Sequence, residues 1–197
     1  MSCILGLDPS TACVGITLID PLVKKPLLLT HVTFEKDKAP KRKKGEPKVE
    51  VPDLNIYDKA DKVKAALELL VGQDVRHVAI EEPLLAFGKM SSSAQTIARL
   101  QQFNGIVSYV AKTLFNVVPV HLNASHARKV CGVKFDKSIE GDRKQQTFDW
   151  LKTRDLVDVV WTTYVNKSGE TCVYEYHKDE VDAYVVARAY AREVLNV

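Results

Sequence analysis

The chain has 197 residues, 46% of them hydrophobic, which is enough to bury a full core and fits one domain better than two. No apolar run approaches the ~20 residues of a membrane span, and the start, MSCILGLDPS, has no basic stretch ahead of a long apolar run, so neither a span nor a secretory leader is expected. The net charge of +3 says little about partners by itself, and Cys3, Cys13, Cys131 and Cys172 lack metal-finger spacing, so they read as small buried thiols of an intracellular, cytoplasmic protein.

Ile4 to Asp8 reads as a buried strand, and the DPST turn leads into a second strand from Val14 to Asp20. Leu27 to Phe34 gives a third, so the first three strands form an antiparallel meander. From Lys36 to Lys48, KDKAPKRKKGEPK holds seven Lys and Arg against two acids, a local balance of +5 that leaves the rest of the chain at −2. That stretch holds two prolines and a glycine, and residues 36–53 read as an inserted, exposed basic loop. Lys41, Arg42, Lys43 and Lys44 there could pair with phosphates and give salt-sensitive binding; the plainer reading is a solvated loop that aids solubility.

Ile56 to Val71 has helical spacing through Ile56, Ala60, Val63, Leu67 and Leu70, with Gly72 as its terminator. His77 to Glu81 is a fourth buried strand, stopped by Pro83. A serine cap in SSSAQ starts a long helix that carries Ile97, Leu100, Phe103, Val107, Val110 and Leu114 on or near one face. Its Gln95, Gln101, Gln102 and Asn104 offer a dimer seam. Val117 to His121 gives a fifth strand, parallel to the fourth through a helical crossover. Helices at Ala124–Val130 and Asp142–Lys152 follow, then a β-hairpin around NKSGE within Val159–Tyr176. A closing helix from about Asp179 to Leu195 completes an α/β order with a mixed sheet.

Period-two geometry puts Ile4, Gly6 and Asp8 on one strand face, and Ala79 and Glu81 on one face of another, with Glu82 pointing away. Asp179 and Asp182 are three apart on the last helix, close enough to enter one pocket. Each has a plainer reading: Asp8 as a turn-forming Asp-Pro, and the DEVD acids as helix caps. Together they point to metal, because converging carboxylates repel and raise one another's pKa unless cations neutralise them. Hard oxygen ligands suit Mg²⁺ or Mn²⁺, and two such ions about 3.5–4 Å apart serve in-line attack on a phosphodiester. No phosphate-binding glycine loop, cysteine nucleophile or small-molecule cofactor motif competes with that reading.

ILGLDPSTACVGI, VAIEEP and DEVDAYVVA, in this order, resemble the first strand and turn, the central acidic strand and the final helix of the RuvC family of Holliday junction resolvases, in the RNase H-like superfamily. The resemblance implies an RNase H-like fold with a five-stranded mixed sheet flanked by helices, to which this chain adds the basic loop and the hairpin. It implies Asp8, Glu81, Asp179 and Asp182 as catalytic ligands of two Mg²⁺ ions per site, with Mn²⁺ able to substitute. It further implies a homodimer that nicks opposed strands of a four-way DNA junction symmetrically, leaving 5′-phosphates.

The family also places basic residues ahead of the last helix to hold the scissile phosphate. Arg128, Lys129, Arg143 and Lys144 stand there in this chain, Lys129 and Lys144 matching best by position. The family's junction-stacking aromatic would fall at Leu84, so Phe87, with Lys89 beside it in the AFGKM loop, is the substitute nucleic-acid contact. His177 reads as a surface histidine ahead of the last helix, or as a group reaching the metal or the attacking water. The loop and hairpin mark a divergent, phage or viral, branch. Three rivals share features with this reading: a nuclease trimming structured RNA, a nonenzymatic nucleic-acid module, and an actin-like ATPase, for which 197 residues are too few.

Overall fold

A computed structural model of the chain describes residues 2–23, 25–34, 54–83, 94–136 and 143–197. Strands β1 (Cys3–Pro9), β2 (Cys13–Ile19) and β3 (Pro26–Thr33) pair antiparallel, and β4 (Val75–Glu81) and β5 (Val120–Leu122) extend the sheet in parallel on the other side of β1. The order is β3-β2-β1-β4-β5, so the chain's first strand lies at the centre. This is the expected α/β, mixed five-stranded sheet.

Alternation along the central strands divides the core in two. Leu5 and Leu7 of β1, Val14, Ile16 and Leu18 of β2, and Val78 and Ile80 of β4 face helices α1 (Ile56–Glu68) and α2 (Ala94–Phe115). Val63, Leu67, Phe103, Val107 and Ala111 complete that layer. Ile4, Ile19 and Ala79 face the opposite layer, built from α3 (Ala124–Val130), α4 (Arg143–Lys152) and α5 (Tyr176–Val194). A sheet covered on both faces needs near-continuous apolar strands, as these are. No helix among the described residues is long and apolar enough to cross a membrane.

Several boundaries differ from the expectation for identifiable reasons. α1 ends on Leu69 as C-cap in right-handed helical geometry, so Gly72 lies beyond the terminus and does not form it. Asn116 takes a left-handed conformation (φ 53°) after α2, and the chain joins β4 only where Val120 meets Ala79, which shortens and delays β5. The hairpin shrinks to β6 (Thr163–Val165) and β7 (Thr171–Val173), a separate two-stranded sheet. Asn166 Oδ1 closes its turn by accepting from the Ser168 and Glu170 amides at 3.0 and 2.9 Å. Asn104, read as part of a dimer seam, is buried instead, for reasons given below. The basic loop with Lys41, Arg42, Lys43 and Lys44, the AFGKM loop with Phe87 and Lys89, and the serine cap lie outside the described residues.

α5 lies against the sheet at backbone distance. A β-carbon on Gly15 would sit 2.0 Å from the Asp179 carbonyl oxygen, and one on Gly6 would sit 2.3 Å from the Ala183 carbonyl oxygen. Both glycines are therefore contact residues, and the helix face over Gly6 is lined by Ala183 and Ala187, which keeps the approach close. Gly15→Ala should push the start of α5 off β2 and cost ~1–3 kcal/mol or more of unfolding free energy, as measured by urea denaturation. A change within a few tenths of a kcal/mol would contradict this packing.

Candidate metal centre

Asp8 and Glu81 arrive from adjacent parallel strands. Gly6 pairs with Ala79 and Leu7 with Ile80, so continuing the register by one residue sets Asp8 beside Glu81 on the α5 face of the sheet. Asp8 remains within β1, and the turn after it belongs to Ser10, whose Oγ accepts from the Cys13 amide at 3.0 Å and donates to the Cys13 carbonyl at 2.8 Å. The turn-forming reading of Asp8 is thereby replaced. Glu81 ends β4, and Asn104 of α2 donates from Nδ2 to its carbonyl oxygen at 2.8 Å. The Asn104 Oδ1 lies 3.2 Å from His121 Nε2, which is also 3.0 Å from Ser108 Oγ. A buried amide bonded through both its nitrogen and its oxygen thus pins the strand end that bears Glu81.

α5 begins at Tyr176, three residues before the expected start, and Glu175 at its N-cap makes no side-chain capping bond. Asp179 and Asp182 therefore sit inside the helix, and neither is its N-cap. Asp182 is 1% exposed and accepts from Arg128 Nη2 at 2.7 Å. One carboxylate oxygen from each of Asp8, Glu81 and Asp182 falls within 4.8 Å of the other two. Asp179 is joined to this group through Lys144, whose Nζ lies 2.7 Å from Asp179 Oδ1, 3.1 Å from Asp8 Oδ2 and 3.2 Å from Asp182 Oδ2. Despite that last contact, Asp182 Oδ2 is buried without a well-formed hydrogen bond.

The electrostatics match a pocket short of positive charge. Burial first, and then Asp182 and Asp179 against the opposing pull of Lys144, push Asp8 up to about 7. Burial and the charges of Asp8 and Asp182 raise Glu81 well above the carboxylate range. Burial opposes the charge on Lys144, but Asp8, Asp182 and Asp179 outweigh it and hold its pKa above the ordinary lysine value. Burial likewise opposes the charge on Arg128, and Asp182 outweighs it. Four carboxyl groups meet two basic side chains, leaving an all-oxygen donor set in which two acids have raised pKa values and one buried oxygen is orphaned. Hard divalent cations fit that set, and soft or nitrogen-preferring ones do not.

Of the four basic candidates, the structure brings Arg128 and Lys144 to the acids. α3 buries Ala127 and Arg128, while Lys129, favoured by position, is exposed. The end of α3 sets this phase: Gly132 (φ 76°) follows the helix, its amide donates to the Lys129 carbonyl and the Val133 amide donates to the Arg128 carbonyl, both at 3.0 Å. Arg143 is exposed and lies over the Phe135 ring.

His177 is neither exposed nor ahead of the helix. It is buried in the first turn of α5, its Nδ1 donating to Glu180 Oε2 at 2.6 Å while Nε2 accepts from the Thr162 amide at 3.2 Å. Glu180 Oε1 accepts from His31 Nδ1 of β3 at 2.6 Å, and the His31 ring stacks on Tyr176 at 3.8 Å between centroids. This His31–Glu180–His177 bridge ties β3, α5 and the segment before β6 together. Sequence reasoning missed it because a lone His in a strand and a Glu within an acidic run carry no signal for each other.

The fold has the RNase H-like architecture, of RuvC type. No protein-family model matches the chain, and no curated protein matches it in sequence. Among solved structures it is similar to Thermus thermophilus RuvC in complex with a Holliday junction substrate, with TM-score 0.56, 15% identity, 98% of this chain and 96% of that chain covered. A second Thermus thermophilus RuvC structure gives TM-score 0.56 at 14% identity, with the same coverage. Sharing at this level of identity extends to the fold.

Two outcomes follow. Arg128→Met strips the buried Asp182 Oδ1 of its guanidinium and should cost about 3–5 kcal/mol, whereas Lys129→Met should change stability by less than ~0.5 kcal/mol; urea melts in chelator compare them. For Asp8, the unfolded chain loses its proton near pH ~4, while the folded chain keeps it up to about 7. The stabilising effect of that proton is complete below the lower value and is lost as pH rises through the upper one. In chelator, wild-type stability should therefore decline across that interval, and Asp8→Asn should flatten the decline. Parallel pH profiles for the two proteins would contradict a buried proton on Asp8.

Proposed function

We propose that this chain is a divalent-metal-dependent nuclease that cuts branched DNA, and specifically a four-way-junction endonuclease. The observation that carries the proposal is the convergence of Asp8, Glu81 and Asp182 oxygens within 4.8 Å, delivered by two central strands and a helix. The fold's likeness to a RuvC solved with a Holliday junction substrate supports the choice of substrate. On this reading residues 1–197 form one nuclease domain. It works as a homodimer, whose two pockets nick opposed strands symmetrically and leave 5′-phosphate ends.

Asp8, Glu81 and Asp182, with Asp179 beside them, would hold the metal, with two Mg²⁺ ions per site or Mn²⁺ in their place. Mg²⁺ bound there supplies Lewis acidity toward the scissile phosphate and lowers the pKa of the attacking water. The chain's own residues do the positioning. Arg128 fixes the Asp182 carboxylate by its 2.7 Å bond, and Asn104 fixes the Glu81 backbone. Gly6 and Gly15 let α5 bring Asp179 and Asp182 down to Asp8. The depth of Asp8 and Asp182 keeps bulk water from screening these charges. The basic candidates Lys41, Arg42, Lys43, Lys44, Lys89, Lys129 and Arg143, with Phe87, are assigned to grip DNA around the pocket.

The test is cleavage of a labelled four-way DNA junction beside matched duplex, flap and structured RNA, with Mg²⁺ and with chelator. Paired symmetric nicks confined to the junction and lost in chelator are expected. Asp8→Asn should reduce the rate by on the order of 10³-fold or more, roughly 4 kcal/mol of transition-state stabilisation, while junction binding persists. Preferential RNA cleavage would reassign the substrate, and binding without cutting under any metal would reduce the protein to a nucleic-acid-binding module.

A further inference from the structure

The two cations in the pocket differ in how they are held. Arg128 is buried, emerges from the capped end of α3 and bonds Asp182 through Oδ1. Lys144 is the second residue of α4, and its side chain is 34% exposed. It reaches inward on a flexible four-carbon stem to touch Asp8, Asp179 and Asp182 with one ammonium. A compact point charge with three donors, placed among three carboxylates from β1 and α5, occupies the kind of position that a hard cation would take. Its contacts also include Asp182 Oδ2, the oxygen that lacks a well-formed hydrogen bond. The ammonium therefore compensates that oxygen's charge without satisfying it.

We propose that Lys144 is a resident cation that holds the acids together in the metal-free protein and is displaced when divalent ions enter, so that metal uptake is a competition with the protein's own side chain. This inference rests on the reading of the acids as a metal pocket. It goes beyond that reading by assigning the lysine a role before substrate arrives. Withdrawal of one side chain frees an oxygen on each of Asp8, Asp179 and Asp182 at once. Arg128 stays behind to keep Asp182 oriented. Without metal, the same lysine spares the buried carboxylates from facing one another uncompensated, which keeps the empty pocket from driving the fold apart.

Two measurements on the full chain, without nucleic acid, test this. In calorimetric titration with Mn²⁺ alone, Lys144→Met should bind at least about tenfold more tightly than wild type; equal or weaker binding would overturn the competition. In wild type, acylation of Lys144 by an amine-reactive acetyl ester, read by peptide mass spectrometry, should speed up as Mg²⁺ is added. The exposed Lys129 serves as the internal control and should keep a constant rate. A flat or falling Lys144 rate while metal binds would overturn displacement, even if the variant proved too unstable to titrate. If neither protein binds Mn²⁺, the metal-pocket reading fails and this inference fails with it, whereas binding with a motionless lysine removes only the inference.

Discussion

Helix α5 can approach β1 and β2 only because two strand positions have no side chain, and the geometry of the acidic pocket depends on that approach. Each of Gly6 and Gly15 faces a helix carbonyl at a distance no β-carbon tolerates. Asp8 lies two residues beyond Gly6 on the same strand face and pairs with Gly15, so the closest helix–sheet contact and the first carboxylate share one register. The carbonyl over Gly15 is that of Asp179 itself. Backbone packing, rather than side-chain reach, thus brings the helix acids down to the strand acids. The His31–Glu180–His177 bridge holds the same turn of helix from its other side, against β3.

Such closeness is expensive in charge. Carboxylates gathered in a poorly solvated space raise one another's pKa, and the structure answers with two basic side chains drawn from separate helices. Burial opposes the charge on Lys144 and Arg128, yet the neighbouring acids outweigh it and raise both above their ordinary values. The result is a partially compensated site: rigid where Arg128 meets Asp182, adjustable where Lys144 spans the remaining acids. A fully compensated cluster would have no use for an incoming cation, and an uncompensated one would strain the fold without it. The intermediate state suits a site that must be stable empty and receptive when metal arrives.

Much of this was legible in the sequence because the informative patterns are local. The strand alternation in ILGLDPS and HVAIEEP set the faces of Asp8 and Glu81, and the three-residue spacing of Asp179 and Asp182 set theirs. Element order and the parallel crossover followed from the same periodicities. What stayed hidden depends on partners far apart in the chain. That Arg128 and not Lys129 turns inward is decided by how α3 ends and packs on α5, a matter of helix phase that adjacent basic residues do not encode. Asn104 reads as a surface polar residue until the end of β4 supplies a carbonyl for its amide to meet.

His177 shows most clearly why local reading stops where it does. Starting the last helix at Asp179 leaves a histidine outside it, and an exposed position is then the natural inference. The helix begins earlier because Glu180 finds two imidazole donors, His31 from β3 and His177 from its own first turn, while the Thr162 amide donates to the far nitrogen of His177. Each of these bonds needs the others: Glu180 is buried by the strand that brings His31, and the Thr162 amide fixes which ring nitrogen of His177 can donate. A helix start set by a long-range bridge rather than by its own cap has no signature within a window of sequence. It is also adjacent to Asp179, so the element least visible in the sequence is one that orients an acid the sequence made conspicuous.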